Sequence, residues 1–98
     1  MARNIIFAKN TIAILKLLAE NKKMYRKEII MEIIGKEKDT GIEYRLRELE
    51  ILGIIESEIE RKFQRKKWYV LSSKGKKIIQ LLIEIEKNLA EIERILEI

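Results

Sequence analysis

The side chains of this chain best suited to chemistry are cations. Arg61-Lys62-Phe63-Gln64-Arg65-Lys66-Lys67 places five positive charges in seven residues, with no anion among them. Like charges this close repel unless a polyanion relieves them, so the chemistry implied is phosphate binding. Catalytic chemistry has little to work with. There is no Cys and no His. That removes thiolate nucleophiles, Cys-based zinc sites and any side chain that titrates unperturbed near neutrality. The same absence excludes a metal or thiol switch. Carboxylates and lysines need strong perturbation to act at neutral pH, and the glutamates fall on solvated helix or strand faces. No enzyme activity, cofactor or metal is expected.

Charge is divided unevenly along the chain. Residues 1–77 carry a net +8 and residues 78–98 a net −3. This asymmetry predicts a polyanion-binding body over residues 1–75, joined to an element over 76–98 with another task. At 98 residues the body is a single domain. The chain has 20 Ile, 15 Glu and 14 Lys against one Asp and two Gln. Glu/Lys enrichment is a hyperthermophile pattern, while an AT-rich genome also favours Ile and Lys. No apolar stretch approaches the roughly 18 residues of a membrane span. The apolar run Ile5-Ile6-Phe7-Ala8 is too short for a signal-peptide core. The expected location is cytoplasmic, beside the nucleoid, with no membrane partner.

Several elements must position the cations. A first helix is predicted over about Asn10 to Glu20, capped by Asn10 or Thr11. Its face is Ile12, Leu15, Leu18 and Ala19, widened by Ile14 and Leu17. Residues 5–8 either extend this helix or pack separately. Met24-Tyr25-Arg26 is a short extended candidate, with Tyr25 as a core anchor. A second helix spans Lys27 to Ile34, its face Ile29, Ile30, Ile33 and Ile34, and Gly35 stops it. After the polar turn Lys36-Glu37-Lys38, a third helix opens at Asp39 and runs to Leu52. Ile42, Leu46 and Leu49 take one side of it. Thr40, Tyr44, Arg47 and Ile51 take the other, flanked by Glu43 and Glu48. From Ile54 the period becomes two: Ile55, Ser57 and Ile59 alternate with Ile54, Glu56, Glu58 and Glu60, which fits a half-buried strand. Lys67 to Leu71 returns as its partner, with the cationic run at the hairpin tip and one of Trp68 and Tyr69 in the core. Ser72 or Ser73 caps a last helix of about 24 residues, roughly 36 Å long. Ile78, Ile85 and Ile92, then Leu81, Asn88 and Ile95, then Leu82, Leu89 and Leu96 recur at seven residues, the seam of a helix that packs along another.

The order helix, short strand, helix, turn, helix, basic-tipped hairpin and long helix resembles winged helix-turn-helix DNA-binding proteins of the MarR/ArsR-like kind. Tyr25-Arg26-Lys27-Glu28-Ile29 is similar to the start of the first helix of the motif. The run from Ile42 through Leu49-Glu50-Ile51-Leu52-Gly53-Ile54-Ile55-Glu56 is similar to a recognition helix leading into the first wing strand. Trp68-Tyr69-Val70-Leu71-Ser72-Ser73-Lys74-Gly75 is similar to the second wing strand and the turn into the last helix. The long helix also gives the chain a likeness to small archaeal chromatin-type proteins with coiled-coil dimerisation. The resemblance implies a mainly α fold with a small β-hairpin (α+β): a winged helix-turn-helix with a long C-terminal dimerisation helix.

It also implies a transcriptional regulator or chromatin-like protein that binds double-stranded DNA as a homodimer. Thr40, Gly41, Glu43, Tyr44 and Arg47 would present the recognition helix to the major groove. Arg47 suits a guanine edge or a phosphate, and Glu43 a cytosine amino group. Arg61, Lys62, Gln64, Arg65, Lys66 and Lys67 would form a wing on the backbone or minor groove. Arg45 either touches DNA or pairs with Glu48. Phe63 either wedges at the wing tip or folds back over the hairpin. Ile78, Leu81, Leu82, Ile85, Asn88, Leu89, Ile92, Ile95 and Leu96 would form the dimer seam, with Asn88 setting register. The alternative is a winged-helix protein-interaction module of the transcription machinery, or a last helix folded back on its own domain.

Overall fold

Apolar spacing and capping set the elements. The computed structural model describes residues 5–6, 8–35, 40–61 and 66–97. The elements are α1 (Thr11–Glu20), β1 (Met24–Tyr25), α2 (Arg26–Ile34), α3 (Thr40–Ile51), β2 (Ile55–Ile59), β3 (Lys67–Leu71) and α4 (Ser73–Leu96). The predicted fold class holds, with one addition. The hairpin of β2 and β3 gains β1 as a third antiparallel strand, in the order β1-β3-β2. Met24 pairs with Tyr69, and Ile55, Ser57 and Ile59 pair with Leu71, Tyr69 and Lys67.

The core is aliphatic. Ile14, Leu15, Ile29, Ile30, Ile42, Leu46, Leu49 and Ile55 are its largest fully buried side chains, together with Thr11. Thr11 corrects the predicted face of α1. Buried positions are Thr11, Ile14, Leu15 and Leu18, while Ala19 is exposed and Ile12 and Leu17 are half-buried. A threonine can take a core position because its hydroxyl donates to the Ile5 carbonyl at 2.6 Å, which removes the desolvation penalty. That bond settles Ile5, which packs into the core ahead of the helix rather than extending it. Asn10 holds the cap position with φ 72° and makes no side-chain cap bond. Asn tolerates this left-handed conformation better than most residues.

α2 begins at Arg26, with the Glu28 carboxylate accepting the Tyr25 N–H at 3.1 Å, and ends at Gly35 with φ 79°. The expected opening of α3 at Asp39 and the turn before it lie outside the described residues. Along β2, burial fades outward: Ile55 is buried, whereas Ile59 is 61% exposed. The predicted inward set of Ile55, Ser57 and Ile59 therefore stops at Ser57, because the far end of the hairpin leaves the body. Ile54 is buried too, since it belongs to the turn, where its N–H donates to Leu49 O.

The junction from wing to last helix is tight. The Ser72 hydroxyl caps α4 by accepting the Gly75 N–H at 3.0 Å and reaches the Gly53 and Ile54 carbonyls at 2.6 and 2.8 Å. A Cβ on Gly75 would lie 2.2 Å from Ile54 O, so only glycine lets the helix approach the turn before β2 here. Gly75, Ile79 and Leu82 are buried against the body, and Lys16 pairs with Glu86 at 2.7 Å. From Ile83 to Glu97 every residue is exposed. The projecting half helix stretches the molecule to 58 × 28 × 26 Å, with a radius of gyration of 15.1 Å against about 13 Å for a compact chain of this size.

Candidate nucleic-acid interface

The inward side chains of α3, namely Ile42, Leu46 and Leu49, are at most 1% exposed. This anchors the helix and leaves Gly41, Tyr44, Arg47 and Ile51 on its outer side, all exposed. Thr40 opens the helix. Arg47 forms no ion pair among the described residues.

The other charged residues of α3 are engaged. Glu43 meets Arg26 of α2, Oε1 to Nη1, at 2.8 Å. The Arg45 guanidinium pairs with Glu48 and donates to the Lys9 carbonyl at 3.3 Å. Glu50 takes Lys67 of β3 at 3.1 Å and the Ser57 hydroxyl of β2. The Ser57 hydrogen bond holds the Glu50 carboxyl below its usual range; partial burial opposes this and Lys67 adds to it. Burial works to lower the Lys67 ammonium, but the bond to Glu50 and the charges of Tyr69 and Glu50 outweigh it and raise it. These contacts fasten the recognition-type helix to the wing base.

Between the start of α2, the outer side of α3 and the root of β3 lies a cleft of about 540 Å³. Tyr25, Arg26, Lys27, Glu43, Arg47, Lys66, Lys67 and Tyr69 line it. Lys66 is half-buried, its Nζ 4.3 Å from the Tyr25 ring centroid. Arg61 is exposed at the end of the first wing strand. Lys62, Phe63, Gln64 and Arg65 lie outside the described residues. Of the two aromatic residues in β3, Tyr69 is the core residue, 6% exposed. Trp68 is half-buried, edge-on to Tyr25 at 5.2 Å, and its indole N–H faces Glu60 at 3.4 Å. Tyr25 is thus a half-buried partner of Trp68 rather than a core anchor.

Glu43 and Arg47, expected on the recognition helix, and Lys66 and Lys67, expected on the wing, line the same cleft, together with Arg26 and Lys27, which the sequence did not single out. A signal existed: both stand in the first turn of a helix, where the dipole disfavours cations. Among the described residues no group of acidic or metal-ligating side chains is placed to hold a metal ion. Nor is any described helix long and apolar enough to cross a membrane.

Residues 5–94 match the HxlR-like helix-turn-helix family. The chain belongs to that family. The fold it shares with its structural neighbours is the winged helix-turn-helix. Three solved structures illustrate the likeness. The transcriptional regulator YodB from B. subtilis, in its reduced form, shares 24% identity over 88% of this chain and 82% of its own, with a TM-score of 0.75. The HTH-type transcriptional regulator ytcD shares 22% over 95% and 93%, with a TM-score of 0.80. A MarR-family regulator from Enterococcus faecalis V583 shares 19% over 95% and 86%, with a TM-score of 0.76. No curated protein matches the chain.

Proposed function

We propose that this HxlR-like protein regulates transcription at the nucleoid as a homodimer, each protomer setting α3 in a major groove and its wing on the flanking backbone or minor groove. The cationic cleft carries this reading. Arg26, Lys27, Arg47, Lys66 and Lys67 converge on one face of three different elements, and such a face suits phosphates. Thr40, Gly41, Tyr44 and Arg47 are the proposed groove-facing residues, and Arg47 is the proposed base or phosphate contact. Arg61, Lys62, Gln64, Arg65 and Lys66 are the proposed wing contacts. Lys67 supports the wing through Glu50 more than it faces the ligand.

The dimer half of the proposal rests on α4. Leu81, Ile85, Leu89, Ile92, Ile95 and Leu96 are each more than half exposed, and at 100° per residue they share one stripe with Asn88. Fully burying one such side chain is worth about 1.5–3 kcal/mol. Six half-exposed ones therefore contribute roughly 5–9 kcal/mol per protomer. A symmetric pair doubles this, against an association cost of about 4–15 kcal/mol. The helix starts with Lys74, Lys76 and Lys77 and ends with Glu91, Glu93 and Glu97, so an antiparallel pair brings opposite charges together.

Selection of bound sequences from random duplexes, with sedimentation to fix the oligomeric state, tests the proposal. A dimer that enriches a two-fold symmetric site supports it. Arg47→Ala should then relax preference at one base pair per half-site, by about 1–3 kcal/mol of discrimination. Enrichment of nothing, with only weak duplex affinity, would favour a protein-interaction module instead.

A further inference from the structure

Among the described residues that line the cleft, Glu43 is the one carboxylate. A carboxylate that reads a cytosine amino group must present its oxygens to the groove, and an unpaired one at a phosphate-binding surface repels the ligand. Glu43 is placed otherwise. Its Oε1 is 2.8 Å from Arg26 Nη1, and the pair joins two helices, so it sets the guanidinium's position relative to α3. Glu43 is half-buried, whereas Tyr44 and Arg47 beside it on the helix are exposed. Arg26 keeps 58% of its side chain accessible within the pair, and a guanidinium has five donors. Held by one carboxylate, it still has donors for a second anion.

We infer that Glu43 is a positioning residue and not a base reader: it holds the Arg26 guanidinium in the cleft as a contact to a DNA backbone phosphate. This rests on the DNA-binding reading above. The arrangement also accounts for an acidic residue on a face that meets a polyanion. Arg26 neutralises Glu43, and the other four cations of the cleft stay available to phosphates or, for Lys67, to the wing base.

The test is a double-mutant cycle on the duplex bound by the unmodified protein, using Arg26→Gln, Glu43→Gln and the double variant. Exposed ion pairs contribute little to stability, so all three variants should melt as the parent does. Arg26→Gln should weaken binding about tenfold, the low end for a charge-assisted hydrogen bond. It should also reduce the slope of log affinity against log salt by about 0.9. In the Glu43→Gln background the same change should cost about threefold or less, the mark of coupled neighbours. Glu43→Gln alone should leave base preference unchanged at every position. Two results overturn the inference: a Glu43→Gln protein that relaxes preference at one C·G pair, or an Arg26→Gln loss equal in both backgrounds. If the unmodified protein binds no duplex at low salt, the DNA-binding reading itself fails, and that outcome is distinct from both.

Discussion

At the scale of single residues, the charged side chains of α3 divide by partner. Arg45 belongs to Glu48 and the Lys9 carbonyl, Glu43 to Arg26, and Glu50 to Lys67 and Ser57. Spacing along a helix gives the face a residue occupies but not the partner that crosses from another element. For that reason Arg45 with Glu48, one turn apart, was legible in the sequence, whereas Glu50 with Lys67 was not. The Glu50 cluster predicts a pH response. Its carboxyl sits below the ordinary value of 4.5 in the fold, so its contribution to stability is full above that value and is lost as pH falls through the folded one. Lys67 sits above 10.5, so its contribution is full below that value and is lost as pH rises through the folded one. Glu50→Gln should therefore lower the unfolding free energy at neutral pH, by at most about 1 kcal/mol for so exposed a pair. The gap between variant and parent should narrow as pH falls below the ordinary carboxylate value and through the lower one of the fold. A gap that stays constant across that range would remove Glu50 from the account.

At the scale of elements, the apolar periods of α2, α3 and the hairpin were enough to order the motif, because each buries one clean face. The departures are local and have physical causes. Thr11 reads as polar until the Ile5 carbonyl satisfies it. Ile54 and Ile55 read as alternating strand residues, yet both are buried where the turn after α3 packs down. The junction after β3 is the most constrained element boundary. Gly75 faces Ile54 O at a distance no Cβ could occupy, so Gly75→Ala must push α4 away from the wing. The cost should be about 1–3 kcal/mol, as for other overpacked sites, measured by denaturant unfolding. A neutral substitution would mean that the junction flexes and that wing and α4 are not fastened as described.

At the scale of the whole molecule, α4 carries two faces where the heptad spacing suggested one seam. Gly75, Ile79, Leu82 and Glu86 lie toward the body, with Ile78 half-buried beside them. The exposed stripe through Leu81, Ile85, Leu89 and Ile92 lies roughly 100° around the helix. Leu82 and Ile78 thus leave the proposed dimer seam for the protomer's own core, and the notion of a helix folded back on its domain describes only its first part. Sequence alone could not separate the faces, because both are aliphatic and overlap over residues 78–82. Replacing Leu89 and Ile92 together by Glu should give a folded monomer whose melting point no longer depends on protein concentration and whose duplex affinity drops. Unfolding of the variant would instead place the stripe in the protomer core.

In the proposed complex the cleft and wing hold duplex DNA through phosphates. The most direct test of this is affinity for the selected duplex titrated against salt. Log affinity should fall linearly with log salt, losing about 10³–10⁵ in affinity between 50 and 200 mM for six to ten phosphate contacts. Binding that is indifferent to salt, or absent at the low end, would contradict it.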